Sequence, residues 1–234
     1  KMLGNFAEAE SGYKKALEYY QATSDFGWQA NLNNSLGVLQ HTNSDYVSAM
    51  ASFEKAAHYA RVGCSPRLEA YVLTSIGDLY QELDAMVEAF EAYHQAREIV
   101  QHIREDYLLF YLNLSEARIK ITLGEVDGSK ELIEMAKSIA EDRGLLYEQN
   151  LCRLEQGRLE LSLGAYKDAL IDFTTVLNLC VREGYQIEIP RARLLTCLAA
   201  ALADDKELIL LQIEPLRASF NDPDKEKWII ASGR

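Results

Sequence analysis

Apolar residues recur along this chain at helical spacing, interrupted at regular intervals by a small or polar residue. Between Pro66 and Leu83 they fall at Leu68, Val72, Ile76, Leu79 and Leu83, three or four apart, which is the stripe of an amphipathic helix. Ser65 followed by Pro66 is a start signal, with Ser as N-cap and Pro at the first helical position. Asp84 breaks the stripe, and helical spacing resumes from Met86 to about His102. Two helices joined by a tight turn make one unit.

The unit returns every 40 residues without a slip of register. Ala9, Tyr13 and Ala16 are followed by Ala49, Phe53 and Ala56, then Ala89, Tyr93 and Ala96, then Ser129, Ile133 and Ala136, then Ala169, Phe173 and Val176. Upstream stands a small column, Gly37, Gly77, Ala117 and Gly157. A turn column reads Gly4, Ser44, Asp84, Gly124 and Gly164, and its glycines suit a left-handed residue that ends a helix. Two residues later comes an apolar column, Phe6, Tyr46, Met86, Val126 and Tyr166. The small columns have a packing reason: Gly77 and Ala89 let two helix backbones approach, and the ring of residue 93 fills the space beside them. A larger residue at Ala89 overpacks, at about 1–3 kcal/mol.

These columns, L-G, then G-x-aromatic-x-x-A, then x-x-x-F/Y-x-x-A, resemble the tetratricopeptide repeat from residue 1 to about 217. The resemblance implies an all-α, right-handed superhelix of about five and a half helix-turn-helix repeats, each of 40 residues where 34 is usual. Repeat 1 lacks its first helix, repeats 2–5 lie near 27–186, a degenerate repeat 6 lies near 187–217, and 218–234 is a linker or the start of a further repeat at Trp228-Ile229-Ile230. Both ends look cut, so the segment reads as a region of a longer protein. The runs Asn33-Asn34-Ser35-Leu36-Gly37-Val38-Leu39 and Arg67 to Tyr80 resemble the repeat region of MalT-like bacterial transcriptional regulators. Long repeats of this kind also occur in peptide receptors and adaptors.

Charge narrows the partners. The chain carries 24 Lys and Arg against 36 Asp and Glu, a net charge of −12, which repels phosphate backbones and argues against nucleic acid. No apolar run reaches the ~18 residues of a membrane span, and the first residues lack the apolar core of a signal peptide. Four cysteines, at 64, 152, 180 and 197, form no CxxC pair and read as small buried hydrophobes in a reducing, cytoplasmic compartment.

Catalytic and metal constellations do not emerge. Gly124 to Lys130 has the wrong order for a phosphate-binding loop and falls on the turn column. His94 and His102 are two turns apart, too far to share a metal. No cofactor, no metal and no catalytic residue is expected, and the chain is read as a non-enzyme. The sequons at Asn33 and Asn113 fall inside helices, so glycosylation is not expected.

In such arrays the concave face binds, and the resemblance implies that the first helix of each unit lines it. The groove positions are Asn31, Asn34, Val38 and His41; then Tyr71, Thr74, Asp78 and Gln81; then Tyr111, Leu114, Arg118 and Ile121; then Leu151, Leu154, Arg158 and Leu161. Tyr71 and Tyr111 hold equivalent positions, so their rings are expected side by side. Arg118 and Arg158 do the same, with Asp78 one unit earlier. Paired arginines beside tyrosines suit a carboxylate or phosphate, while the alternative is a solvated charge ladder worth about 0–1 kcal/mol. Leu151, Leu154 and Leu161 are expected to be exposed to a continuing superhelix or a partner helix. No groove position carries the Lys of a chaperone-tail clamp. Trp28 is expected to pack between repeats, and Phe6 and Tyr13 to be bared at the cut end, favouring end-to-end association.

Two functions compete. One is the sensing region of a MalT-like regulator, holding a small effector, peptide or protein in the groove, with DNA binding and nucleotide hydrolysis elsewhere. The other is a free-standing scaffold, adaptor or peptide receptor. Fold-level resemblance does not decide between them.

Overall fold

The computed structural model describes residues 6–185 and 188–220, and over these the chain is an all-α repeat solenoid. The Gly4 turn position and the segment at Trp228 lie outside the described residues. Eleven helices follow one another among the described residues: α1 (Phe6–Ala22), α2 (Phe26–Thr42), α3 (Tyr46–Val62), α4 (Pro66–Glu82), α5 (Met86–Ile103), α6 (Asp106–Leu123), α7 (Val126–Asp142), α8 (Leu146–Ser162), α9 (Tyr166–Glu183), α10 (Glu188–Leu202) and α11 (Lys206–Phe220). None of them is long and apolar enough to cross a membrane. The sixth repeat holds both its helices, α10 and α11, and α11 passes the expected end of the array at residue 217.

The turn column is one half of a stricter pattern. A left-handed residue recurs every 20 positions, at Ser24, Ser44, Cys64, Asp84, Arg104, Gly124, Gly144, Gly164, Gly184 and Asp204. Each ends its helix by hydrogen bonds that reach back over the last turn, as where Ser44 N–H donates to the His41 carbonyl at 2.8 Å and Asp45 N–H to the Gln40 carbonyl at 2.9 Å. Except after Gly184, the following helix begins two residues later, so helices meet almost without a loop. Asp25, Asp45 and Asp205 accept from the N–H groups of Trp28, Ser48 and Leu208. Ser65 occupies the N-cap as its sequence suggests, with Pro66 behind it, but its side chain makes no capping bond. Cys64 departs from the buried-hydrophobe expectation, being exposed on its turn, whereas Cys152 and Cys180 are buried and Cys197 is half-buried.

The contacts divide the chain into two compact units, residues 1–112 and 113–234. In the first, α1 packs on α2, α2 on α3, α3 on α4 and α4 on α5, and α2 also touches α4. In the second, α7 packs on α8, α8 on α9, α9 on α10 and α10 on α11.

Within three of the pairs a glycine accepts the side of an aromatic ring. A Cβ placed on Gly37 would lie 2.5 Å from the Phe53 ring, one on Gly77 2.4 Å from Tyr93, and one on Gly157 2.7 Å from Phe173. All three rings are fully buried, as are Ala49, Ala89 and Ala169. In the fourth unit the ring is replaced by Ile133, and Ala117 stands where the glycine would be, in the same apolar cluster. At the start of the chain Tyr13 is half-buried against Leu17, Leu32 and Leu36, and Phe6 is half-buried too, so neither is bared.

Candidate functional site

In the first unit most polar groove positions are engaged by their own fold. Asn31 and Val38 are exposed, and Asn34 is half-buried with its Oδ1 lacking a hydrogen-bond partner. His41 Nε2 lies 2.5 Å from Glu82 Oε2, and the other Glu82 oxygen accepts the Tyr46 hydroxyl at 2.9 Å. Thr74 is buried and donates to the Ala70 carbonyl one turn back. The Tyr93 hydroxyl donates to Asp78 at 2.6 Å and to Gln81 at 3.3 Å, which ties two groove positions to the ring that seats on Gly77. The Arg67 guanidinium covers the Tyr71 ring at 5.5 Å from its centroid and pairs with Glu105 at 2.9 Å. Burial and the Glu105 carboxylate push the Tyr71 phenol upward. Tyr111 meets Tyr107 and Phe110 edge-on, with the two tyrosine hydroxyls 3.1 Å apart. Tyr71 is thus paired with a cation, and Tyr111 with rings from its own helix. Trp28 is half exposed and stacks on Tyr20.

The second unit holds the distinctive chemistry. The helices α6, α8 and α10, the first helices of three successive pairs, bring Arg118, Arg158 and Arg191 to one carboxylate, Glu155. The Glu155 side chain is 1% exposed. Its Oε1 accepts from Arg118 at 3.1 Å (Nε) and 2.5 Å (Nη2). Arg158 Nε stands 3.6 Å from Oε2, and Arg191 Nη2 3.7 Å from Oε1, both ion pairs too long to be hydrogen bonds. The Nε atoms of Arg158 and Arg191 are buried without a hydrogen-bond partner. Burial would drive the Glu155 carboxyl upward, but the three guanidiniums outweigh it and hold the group at about 2. Burial and the other two arginines push Arg191 down, with Glu155 opposing. Arg158 is pushed down by burial and by Arg118, again against Glu155. Arg118 and Arg158 therefore close on a buried carboxylate and do not form a solvated ladder.

A cleft of about 60 Å³ opens beside this cluster between α8, α9 and α10, and Arg191 belongs to both. Leu151, Leu154, Val176 and Ala192 give it an apolar wall. Leu154 is buried, and Leu151 and Leu161 are half-buried, so these leucines pack inside the unit and are not an exposed face. The polar wall has Tyr147, whose hydroxyl donates to Glu188 at 2.7 Å, and Asn150, which donates to Cys180 Sγ at 3.5 Å. Burial pushes the Cys180 thiol up to about 11 and the Cys152 thiol up to about 12, so both stay protonated at neutral pH. No group of His, Cys, Asp or Glu among the described residues is arranged to hold a metal.

Sequence reasoning reached Arg118 and Arg158 but missed Glu155 and Arg191. A signal for each was present. Glu155 breaks a column of small polar residues, Ser35, Ser75 and Ser115, which are half-buried or buried at a helix interface. Arg191 stands 40 residues after the groove position Leu151, in the sixth repeat that looked degenerate.

Fold and site define an all-α helix-pair repeat protein with a buried arginine cluster on its first helices. No family model and no curated protein matches the chain. Among solved structures it is similar to the crystal structure of BtubC (BKLC) from P. vanneervenii, with a TM-score of 0.67 and 16% identity, over 94% of this chain and 93% of that one. At that identity the likeness shows the fold alone.

Proposed function

We propose that this chain is a non-catalytic, tetratricopeptide-like binding module that takes an effector or a protein partner on the face built by the first helices of its pairs. The observation that carries this reading is the convergence of Arg118, Arg158 and Arg191, from three successive first helices, on one buried carboxylate beside an open cleft. Guanidiniums fixed on three helices recognise a planar anionic group well, and the thiols near the cleft are held in their unreactive form. Within this reading the chain is the cytoplasmic sensing region of a MalT-like regulator, in which ligand binding shifts a larger protein between states. The runs Asn33 to Leu39 and Arg67 to Tyr80 support that assignment.

The test is a binding screen of the purified chain against small effectors and peptides, run beside co-purification of protein partners. The Arg118→Ala/Arg158→Ala variant is the comparison, with its helix content checked by circular dichroism. The expected result is a ligand whose affinity falls at least tenfold in the variant. A ligand held equally by both proteins would place binding on another face, and protein partners alone, with no effector, would favour the adaptor.

A further inference from the structure

The arginine cluster carries more positive charge than its own carboxylate can neutralise. Arg118 donates two hydrogen bonds to Glu155 Oε1. Arg158 and Arg191 stand at the same carboxylate at ion-pair distance only, each with a buried Nε that has no acceptor. A guanidinium has five N–H donors in a fixed fork, and removing it from water without acceptors is costly. Mutual repulsion adds to that cost, and Arg191 is the group on which it falls most visibly. Arg191, which lines the cleft and whose side chain is 24% exposed, is the member of the cluster that an anion entering the cleft can reach.

The cleft says what that anion is attached to. Arg191 forms part of its wall, and the surface beyond is aliphatic, from Leu151, Leu154, Val176 and Ala192. Glu188 stands on the same wall one turn before Arg191, with Oε1 taken by the Tyr147 hydroxyl. With Arg118, Arg158 and Arg191 set against Glu155 and Glu188, one positive charge stays uncompensated, which suits a single negative charge and penalises a dianion. The cleft is small, about 60 Å³, which suits a short chain.

From this we infer that the second unit binds a monocarboxylate with a short apolar tail, the carboxylate at Arg191 and the tail in the cleft. The inference rests on the binding-module reading and names the ligand chemistry of that face. A free acid and the end of a peptide chain both carry this group, and the shared element is the apolar-tailed carboxylate.

The experiment is isothermal titration calorimetry of the full chain with sodium acetate, butyrate and phosphate, at ionic strength matched with chloride, together with a short peptide ending in valine. Butyrate is expected to bind one site about tenfold tighter than acetate, because two further buried methylenes are worth about fourfold each, with phosphate weakest. Competition between butyrate and the peptide would assign the site to a chain terminus, and butyrate binding without peptide binding would assign it to a free acid. Arg191→Met is expected to weaken butyrate at least tenfold and Arg191→Lys to retain part of the affinity; should the Met variant fail to fold, Leu151→Trp, which fills the cleft from its apolar wall, reads the same loss. Equal binding of acetate and butyrate, phosphate as the tightest ligand, or undiminished butyrate binding in a folded Arg191→Met variant would each overturn the inference. If all three anions fail while an effector from the screen still binds the first-helix face, the carboxylate site falls and the module reading stands.

Discussion

The glycine–ring contact inside three of the helix pairs can be broken by one methyl group. Gly37 sits in the interior of α2, where alanine would ordinarily stabilise a helix by about 1 kcal/mol. Here its Cβ would lie 2.5 Å from two carbons of the Phe53 ring and 3.1 Å from a third. Carbon atoms prefer about 3.5–4.0 Å, so the ring must retreat by roughly an ångström. It has nowhere to go: Phe53 is fully buried among Ala49, Ala56, Val72 and Leu79. Overpacking of this kind costs about 1–3 kcal/mol, and the clash here is severe enough to put Gly37→Ala at the upper end. Set against the helical gain, a net loss of about 1–2 kcal/mol is expected, measured as a lower denaturant midpoint with unchanged slope. The chain supplies its own control in Ala117 facing Ile133. In a Phe53→Ile background, whose own cost is a cavity, the same Gly37→Ala change is expected to be neutral or stabilising. If Gly37→Ala stabilises the natural protein, or costs as much beside isoleucine as beside phenylalanine, the steric argument is wrong.

Other changes test the turns, the hydroxyl network and the buried carboxylate. Arg104 holds a left-handed φ of +54°, so Arg104→Gly should raise stability by about 1 kcal/mol, and Gly164→Ala, at +75°, should lower it by a similar amount in the same denaturation assay. Tyr93→Phe removes the hydroxyl that bonds Asp78 and Gln81, and a loss of about 1–3 kcal/mol is expected because a buried bond to a carboxylate goes unmade. Glu155→Gln leaves buried arginines without their carboxylate and should cost about 3–5 kcal/mol at neutral pH. The Glu155 pKa is lowered by folding from 4.5 to about 2, so its contribution is complete above about 4.5 and is lost as pH falls toward 2. The stability gap between natural protein and Glu155→Gln should therefore shrink over that window, and a gap that stays constant would contradict the assignment.

Much of the fold was legible because a repeat writes its packing rule several times. Glycine at 37, 77 and 157 with a ring sixteen residues later states a close approach between helices, and the exchange to Ala117 and Ile133 states it again in other residues. The left-handed turns were half legible. Gly124 and Gly164 announce the conformation through their missing Cβ, but Ser24, Cys64 and Arg104 adopt it only because the rigid helices on both sides impose it. Of the groove, sequence counting placed Arg118 and Arg158 on successive first helices, where both are found.

What the chain alone determined was local and periodic: helix length, turn position, the small-to-large pairing within a repeat, and the net acidity. What only the tertiary structure decided was which polar groups meet. Asp78 and Gln81 belong to Tyr93, Tyr71 belongs to Arg67, and Glu155 gathers arginines from positions 118, 158 and 191. The reason is physical. Hydrophobic pairing repeats with the backbone and can be counted along one strand of sequence, whereas a buried charge takes whichever partners three helices bring within about 4 Å, and that depends on how the helices are stacked.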